Sequence, residues 1–325
     1  MELSIKDIIL KNRAYLIGIA MILVLTYHQL NIGLSMGIAT PLFRHLDSSP
    51  DIFFYLSALG VSFSYKKNNL KTFYKRRYVR ILPMYLLLAL WRSLYEIIVN
   101  DFHLSLWDWF CNFTTLSYYH LGGVPIAWFL AATALFYLIF PILFKIVEKL
   151  GHWSVLLFLM LVFVIKLNVE MYWSIDAMVS RFPIFILGIV TYFYFNGVVK
   201  KNQVVLQIIF CLFFALAYKL LPIYMISFAY NACVTPIMII ILLAVMFIIR
   251  EIPYLYSFFE WVGRNSLEFY VANTIVVNCM MIPFLGGNQI IEKYLFYYIT
   301  HIFIVLAVAP LNNSSCNVLK KYLHI

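Results

Sequence analysis

The sequence predicts an all-α polytopic integral membrane protein with about ten transmembrane helices and both termini cytoplasmic. Three observations predict it. Hydrophobic residues make up 64% of the 325-residue, 38.1 kDa chain, against roughly 45–50% in a soluble globular protein. Charged residues make up 12%, about half the usual ~25%, which leaves too little polar surface to coat a soluble domain. The charges are also confined, so that long intervals contain no Lys, Arg, Asp or Glu. The same arithmetic excludes disorder, a coiled coil and a disulfide-stapled secreted module. Strand-period alternation is not evident, which argues against a β-barrel.

The charge-free intervals run over residues 14–43, 109–144, 182–199, 220–249, 269–291 and 294–319. Each holds the roughly 20 apolar residues that a spanning helix needs. Shorter apolar stretches at 52–65, 81–98, 153–167 and 204–221 bring the expected total to ten. Residues 102–120 are aromatic and semi-polar, with Trp107, Trp109, Tyr118 and Tyr119, and are expected to lie at the interface. The N-terminal run is too long for a signal-peptide core and carries a histidine, so it reads as a helix that stays. There is no internal repeat, low-complexity stretch or soluble module, and the chain reads as a single domain over 1–325. Cys111, Cys211, Cys233, Cys279 and Cys316 show no paired spacing, so neither a disulfide framework nor a metal site is expected.

The formal charge of +10 would suit nucleic acid if the chain were soluble. With ten spans and the N-terminus inside, 18 of the 24 Lys and Arg residues fall on the cytoplasmic side. They lie before residue 14, in the loop 66–80, at 145–149 and 200–201, at Arg250 and Arg264, and at Lys320 and Lys321. Arg44, Arg92, Lys166, Arg181, Lys219 and Lys293 lie outside or buried. That asymmetry is a positive-inside signal. The basicity therefore describes topology, and nucleic-acid binding is not expected.

Polar groups within spans are costly and mark functional hypotheses. His28 lies roughly 22 Å along the first helix from Arg13. It reads either as a histidine bonded between helices or as a general base, since imidazole titrates near neutrality. If it is a base, Tyr27, Gln29, Asn31 and Ser57 are candidates to support it. The loop 66–80, KKNNLKTFYKRRYVR, carries seven positive charges. Within it Arg77 and Arg80 share one helical face, with Arg76 and Lys75 beside them, and two guanidinium forks so placed suit a phosphate or pyrophosphate. A basic loop facing anionic lipid is the alternative. Arg92 and Glu96, four residues apart, are expected to pair. Arg181 opens the sixth helix as a snorkelling anchor or as part of a polar cavity wall. Asp47, Asp51, Asp101, Asp108 and Asp176 are placed in the outer loops.

Six stretches occur in the order of one membrane-protein family. Arg13-Ala14-Tyr15-Leu16-Ile17-Gly18-Ile19-Ala20 followed by His28 resembles the first helix of acyltransferase family 3, and Phe53-Phe54-Tyr55-Leu56-Ser57 resembles its second. Phe73-Tyr74-Lys75-Arg76-Arg77-Tyr78-Val79-Arg80-Ile81-Leu82-Pro83 resembles the basic RxxR start of the third. Trp128-Phe129-Leu130 with Phe136, Tyr137, Leu138 and Pro141 is similar to the fourth helix. Arg181-Phe182-Pro183-Ile184-Phe185 with Gly188 is similar to the sixth, and Gly263-Arg264-Asn265-Ser266-Leu267-Glu268-Phe269-Tyr270 to the ninth.

The resemblance implies a ten-helix enzyme of the cell membrane. It would take an acetyl group from cytoplasmic acetyl-CoA and pass it to a hydroxyl of a cell-surface polysaccharide or its lipid-linked precursor, without a metal. It implies His28 as catalytic residue and Arg77 and Arg80 at the CoA end. Arg76 and Arg13 are expected beside them, and Arg181 toward the acceptor. The chain departs from the family pattern at Ile17, where a basic residue is common, at Thr133, where glutamate is common, and at Asn273, where histidine is common. A non-catalytic homologue is therefore carried as an alternative, as is a glycan or small-molecule transporter or flippase without acyl chemistry.

Overall fold

The computed structural model describes residues 5–31, 48–220, 227–249, 251–277 and 290–324, and these residues form helices and connecting loops. Arg44, Asp47, Arg250 and Cys279 lie outside them, as do the side chains of Asn31, Lys219 and Lys293. A short helix α1 (Ile5–Lys11) turns at Asn12 into α2 (Arg13–Asn31). Then come α3 (Ser49–Lys67), the long α4 (Leu70–Val99) and the short α5 (Leu106–Phe113). The long helices resume with α6 (Trp128–Leu150) and α7 (Trp153–Asn168), followed by α8 (Trp173–Val179) and α9 (Phe182–Phe195). The chain continues through α10 (Lys201–Leu220), α11 (Ser227–Ile249), α12 (Pro253–Arg264), α13 (Ser266–Ile275) and α14 (Ile290–Leu323).

Four segments are long and apolar enough to cross a membrane: Leu70–Val99, Trp128–Leu150, Trp173–Phe195 and Phe296–Leu323. Together with the apolar composition they make this a polytopic helical membrane protein. Residues 102–120 do not form a span. They fold into α5 and a 3₁₀ turn (Leu116–Tyr119), because Ser105 and Asp108 close a capping box at the start of α5. Asp108 Oδ1 also accepts from the Gly123 backbone N–H at 2.6 Å. These hydrogen bonds, those of Ser105 foremost, hold the Asp108 carboxyl below the ordinary carboxylate range.

Asn69 starts α4 by accepting the Thr72 N–H at 2.8 Å. At 30 residues this helix is about 45 Å long, more than a ~30 Å hydrocarbon core requires, so its basic first turns project beyond the core. Phe54, Phe73, Phe136, Phe140, Phe144 and Phe185 are buried between α3, α4, α6 and α9. Phe136 and Phe185, 4.7 Å apart between ring centroids, join α6 to α9.

The tightest packing lies between α2 and α12. A Cβ on Gly18 would stand 1.8 Å from the Phe259 carbonyl oxygen, and one on Gly263 would stand 1.7 Å from that of Ala14. Both obstacles are backbone, so neither can rotate away. Tyr15 and Tyr256 stack at 4.7 Å beside this contact, and Tyr256 donates to Asn12 Oδ1 at 2.7 Å. Gly263→Ala is expected to destabilise the protein by at least the ~1–3 kcal/mol typical of overpacking. Thermal unfolding in detergent checks this; an unchanged midpoint would show that the two helices separate freely.

Candidate functional site

Helices α2, α3, α4, α6, α8 and α13 enclose a cavity of about 490 Å³, within the range of small-molecule sites. One end is formed by Arg13, Ile17, Arg80 and Tyr137, and the other by His28, Arg92, Trp173, Arg181 and Asn273. Phe53, Phe54, Ser57, Thr133 and Tyr270 line the stretch between. Arg13 opens α2 and His28 lies in its last turn, so this one helix supplies a residue to each end.

At the Arg13 end, Arg13, Arg77 and Arg80 act on one another electrostatically. The Arg13 Nε donates to the Leu56 carbonyl at 3.3 Å. Arg77 lies over the Tyr137 ring, 6.0 Å from its centroid, and its buried Nε has no hydrogen-bond partner among the described residues. Among the described residues no carboxylate pairs with Arg13, Arg77 or Arg80. Arg92, Arg181 and Arg264 behave differently, pairing with Glu96, Asp51 and Glu260 respectively. Like charges held together without counter-ions suit an anionic ligand, and arginine forks suit phosphate.

The sequence-predicted residues thus separate. Arg13 and Arg80 line the cavity, with Arg77 behind them on Tyr137. Arg76 is exposed and outside the lining. Ile17 and Arg13 line the same cavity, so the basic charge absent at Ile17 is present one turn earlier. Thr133 lines it too, but its hydroxyl donates to the Phe129 carbonyl of its own helix at 2.7 Å.

Arg181 is 1% exposed, which rules out the snorkelling alternative. Its Nε lies 2.6 Å from Asp51 Oδ1, its Nη1 donates to the Ala177 carbonyl at 2.8 Å, and its guanidinium sits 4.9 Å from the Trp128 ring centroid. Asp51 is not a loop residue. It is fully buried in the first turn of α3, where Thr235 donates to its Oδ2 at 3.1 Å, because only a carboxylate can balance a guanidinium so deeply enclosed. The signal available in the sequence was Arg181 itself, whose burial requires an acid somewhere in an acid-poor chain. Arg92 pairs with Glu96 as their spacing predicts.

Among the described side chains, none of Tyr27, Gln29 and Ser57 makes a hydrogen bond to His28, and Asn31 lies outside the described side chains. Ser57 is engaged with the Tyr137 hydroxyl at 2.6 Å. Instead, the Asn273 amide nitrogen Nδ2 lies 2.7 Å from His28 Nδ1, and no described residue bonds Nε2. The Tyr297 hydroxyl stands 3.0 Å from Asn273 Oδ1 and 3.0 Å from the Leu25 carbonyl. Tyr298 reaches the Thr26 hydroxyl at 3.0 Å. Two neighbouring tyrosines of α14 therefore strap the turn of α2 that precedes His28. Nothing in the sequence singled them out among 24 tyrosines.

This arrangement places an imidazole with one nitrogen supported at one end of a cavity and, at the other, guanidinium groups with no carboxylate partner among the described residues. It can hold a phosphorylated molecule by one end while a base acts at its far end. A family model described as an acyltransferase domain matches residues 15–311. No curated protein and no solved structure matches the chain.

Proposed function

The chain belongs to acyltransferase family 3, and we propose that it is an acetyl-CoA-dependent O-acetyltransferase of the cell membrane acting on a cell-surface glycan or its lipid-linked precursor. The observation that carries this reading is a single cavity joining His28 to the uncompensated Arg13 and Arg80. The acyl donor enters from the cytoplasm, where CoA is made. Arg80 and Arg13 bind its phosphates, Arg77 adds charge behind them, and Arg76 attracts from the surface. The positive-inside distribution of Lys and Arg supports ten spans with both termini cytoplasmic, which puts these arginines on the donor's side. The pantetheine arm lies along the Phe53, Phe54 and Tyr270 stretch and brings the thioester to His28.

His28 takes the proton of the acceptor hydroxyl, and the oxygen attacks the thioester carbonyl. A preliminary transfer of the acetyl group onto the imidazole would use the same residue. Arg181, neutralised by Asp51, holds the wall on which the acceptor lies. Asn273, in the position where the family commonly has histidine, keeps a polar group on His28, and Arg13 supplies the charge absent at Ile17. The departures from the family pattern are therefore compatible with activity.

Purified protein with acetyl-CoA and a free-thiol assay tests the reading. CoA release that requires His28 would support it, and a failure to bind acetyl-CoA would sink it. Arg80→Ala and Arg13→Ala are each expected to raise KM for acetyl-CoA about tenfold, with little change in kcat. That is the effect of removing one charge-assisted hydrogen bond worth ~1.5 kcal/mol from ground and transition state alike.

A further inference from the structure

We propose that the Asn273 amide turns its oxygen toward His28, accepts the hydrogen of Nδ1, and so leaves Nε2 as the free base. This deepens the reading of His28 as the catalytic residue and rests on it. The reasoning is a count of hydrogens. A tyrosine hydroxyl has one hydrogen to give, and carbonyl oxygens only accept. The Tyr297 hydroxyl stands at 3.0 Å from both the Leu25 carbonyl and the near atom of the Asn273 amide. If that near atom is the oxygen, two acceptors compete for one hydrogen. The amide nitrogen would then donate to Nδ1 and force the hydrogen of the neutral ring onto Nε2.

A half-turn of the amide exchanges its oxygen and nitrogen and leaves every other atom where it is. The amide N–H then donates to the Tyr297 oxygen, the Tyr297 hydroxyl donates to Leu25, and His28 Nδ1–H donates to the amide oxygen. Each of these three hydrogen bonds then has one hydrogen and one acceptor. The hydrogen bond made by one ring nitrogen sets the state of the other, so Nε2 keeps its lone pair.

The step then balances. The acceptor O–H bond breaks and its proton goes to Nε2 while its oxygen bonds to the thioester carbonyl carbon. The C–S bond breaks as the intermediate collapses, and the sulfur leaves with the proton from Nε2 as CoA thiol. Asn273 is thus a positioning residue, and Tyr297 fixes its sense.

Histidine-selective ¹⁵N labelling of the full chain in nanodiscs reads the tautomer directly. The His28 signal is identified among the seven histidines by its loss in His28→Ala. The expected result is a neutral ring with hydrogen on Nδ1; hydrogen on Nε2 overturns the proposal. Asn273→Asp, which can only accept, should keep the Nδ1–H form, although it sets a second acceptor before the Tyr297 hydroxyl. Asn273→Leu should lose that preference and about 10–100-fold in kcat, as is usual for a group orienting a functional histidine, with KM for acetyl-CoA unchanged. Wild-type kcat in Asn273→Leu also overturns it. Full transfer by His28→Ala would instead refute the catalytic reading of His28, so the two failures are distinguishable.

Discussion

Replacing His28 by alanine is expected to reduce acyl transfer by at least the 10²–10⁴-fold that a general base contributes, with the protein still inserted and folded. The residue sits at the cavity end of α2, and its one described hydrogen bond is to Asn273. The strap from α14 grips Leu25 and Thr26, not His28. Removing the imidazole therefore leaves the helix held. The measurement is CoA release by equal amounts of purified wild type and variant, with unfolding midpoints recorded in parallel. Wild-type turnover by the variant would remove the centre of the mechanism. A lowered midpoint accompanying lost activity would show instead that His28 supports the fold.

The largest expected stability effect belongs to Asp51. Asp51→Ala deprives the enclosed Arg181 guanidinium of its carboxylate, and breaking a buried pair in this way costs ~3–5 kcal/mol. Replacing both members with apolar groups, as in Asp51→Ala with Arg181→Met, is expected to recover most of the loss, because the uncompensated charge leaves together with its partner. Detergent-solubilised variants compared by thermal unfolding test both statements. If the double variant is as unstable as Asp51→Ala, the cost does not come from the stranded charge.

Much of the architecture was legible because a membrane solvent makes sequence pattern strict. Apolar intervals broken by charge correspond to α2, α4, α6, α9, α11 and α14, and the spacing of Arg92 and Glu96 gave their ion pair. The RxxR segment and His28 were legible as chemistry for a similar reason, since polar groups stand out against an apolar chain. What stayed hidden depends on contacts distant in sequence. Asp51 lies 130 residues from Arg181, and the proline-started first turn that buries it reads like a loop. Asn273 was visible only as a departure from a family pattern, because one amide says nothing of which ring it will meet. Arg77 and Arg80 share a helical face, yet Tyr137 holds Arg77 behind the cavity wall while Arg80 lines it. That difference is made by the neighbouring helix.

The strap between α14 and α2 ties a turn made early in synthesis to a helix made much later. His28 and the arginines of the donor end all lie within residues 13–80, so a ribosome has made them before half the protein exists. Yet Tyr297 and Tyr298, which grip the turn before His28, belong to α14 and are made much later. A chain that stops short of α14 would carry the imidazole without the tyrosines that hold the turn before it. If His28 is the base proposed above, a half-inserted chain turns over no acyl donor until α14 is in place.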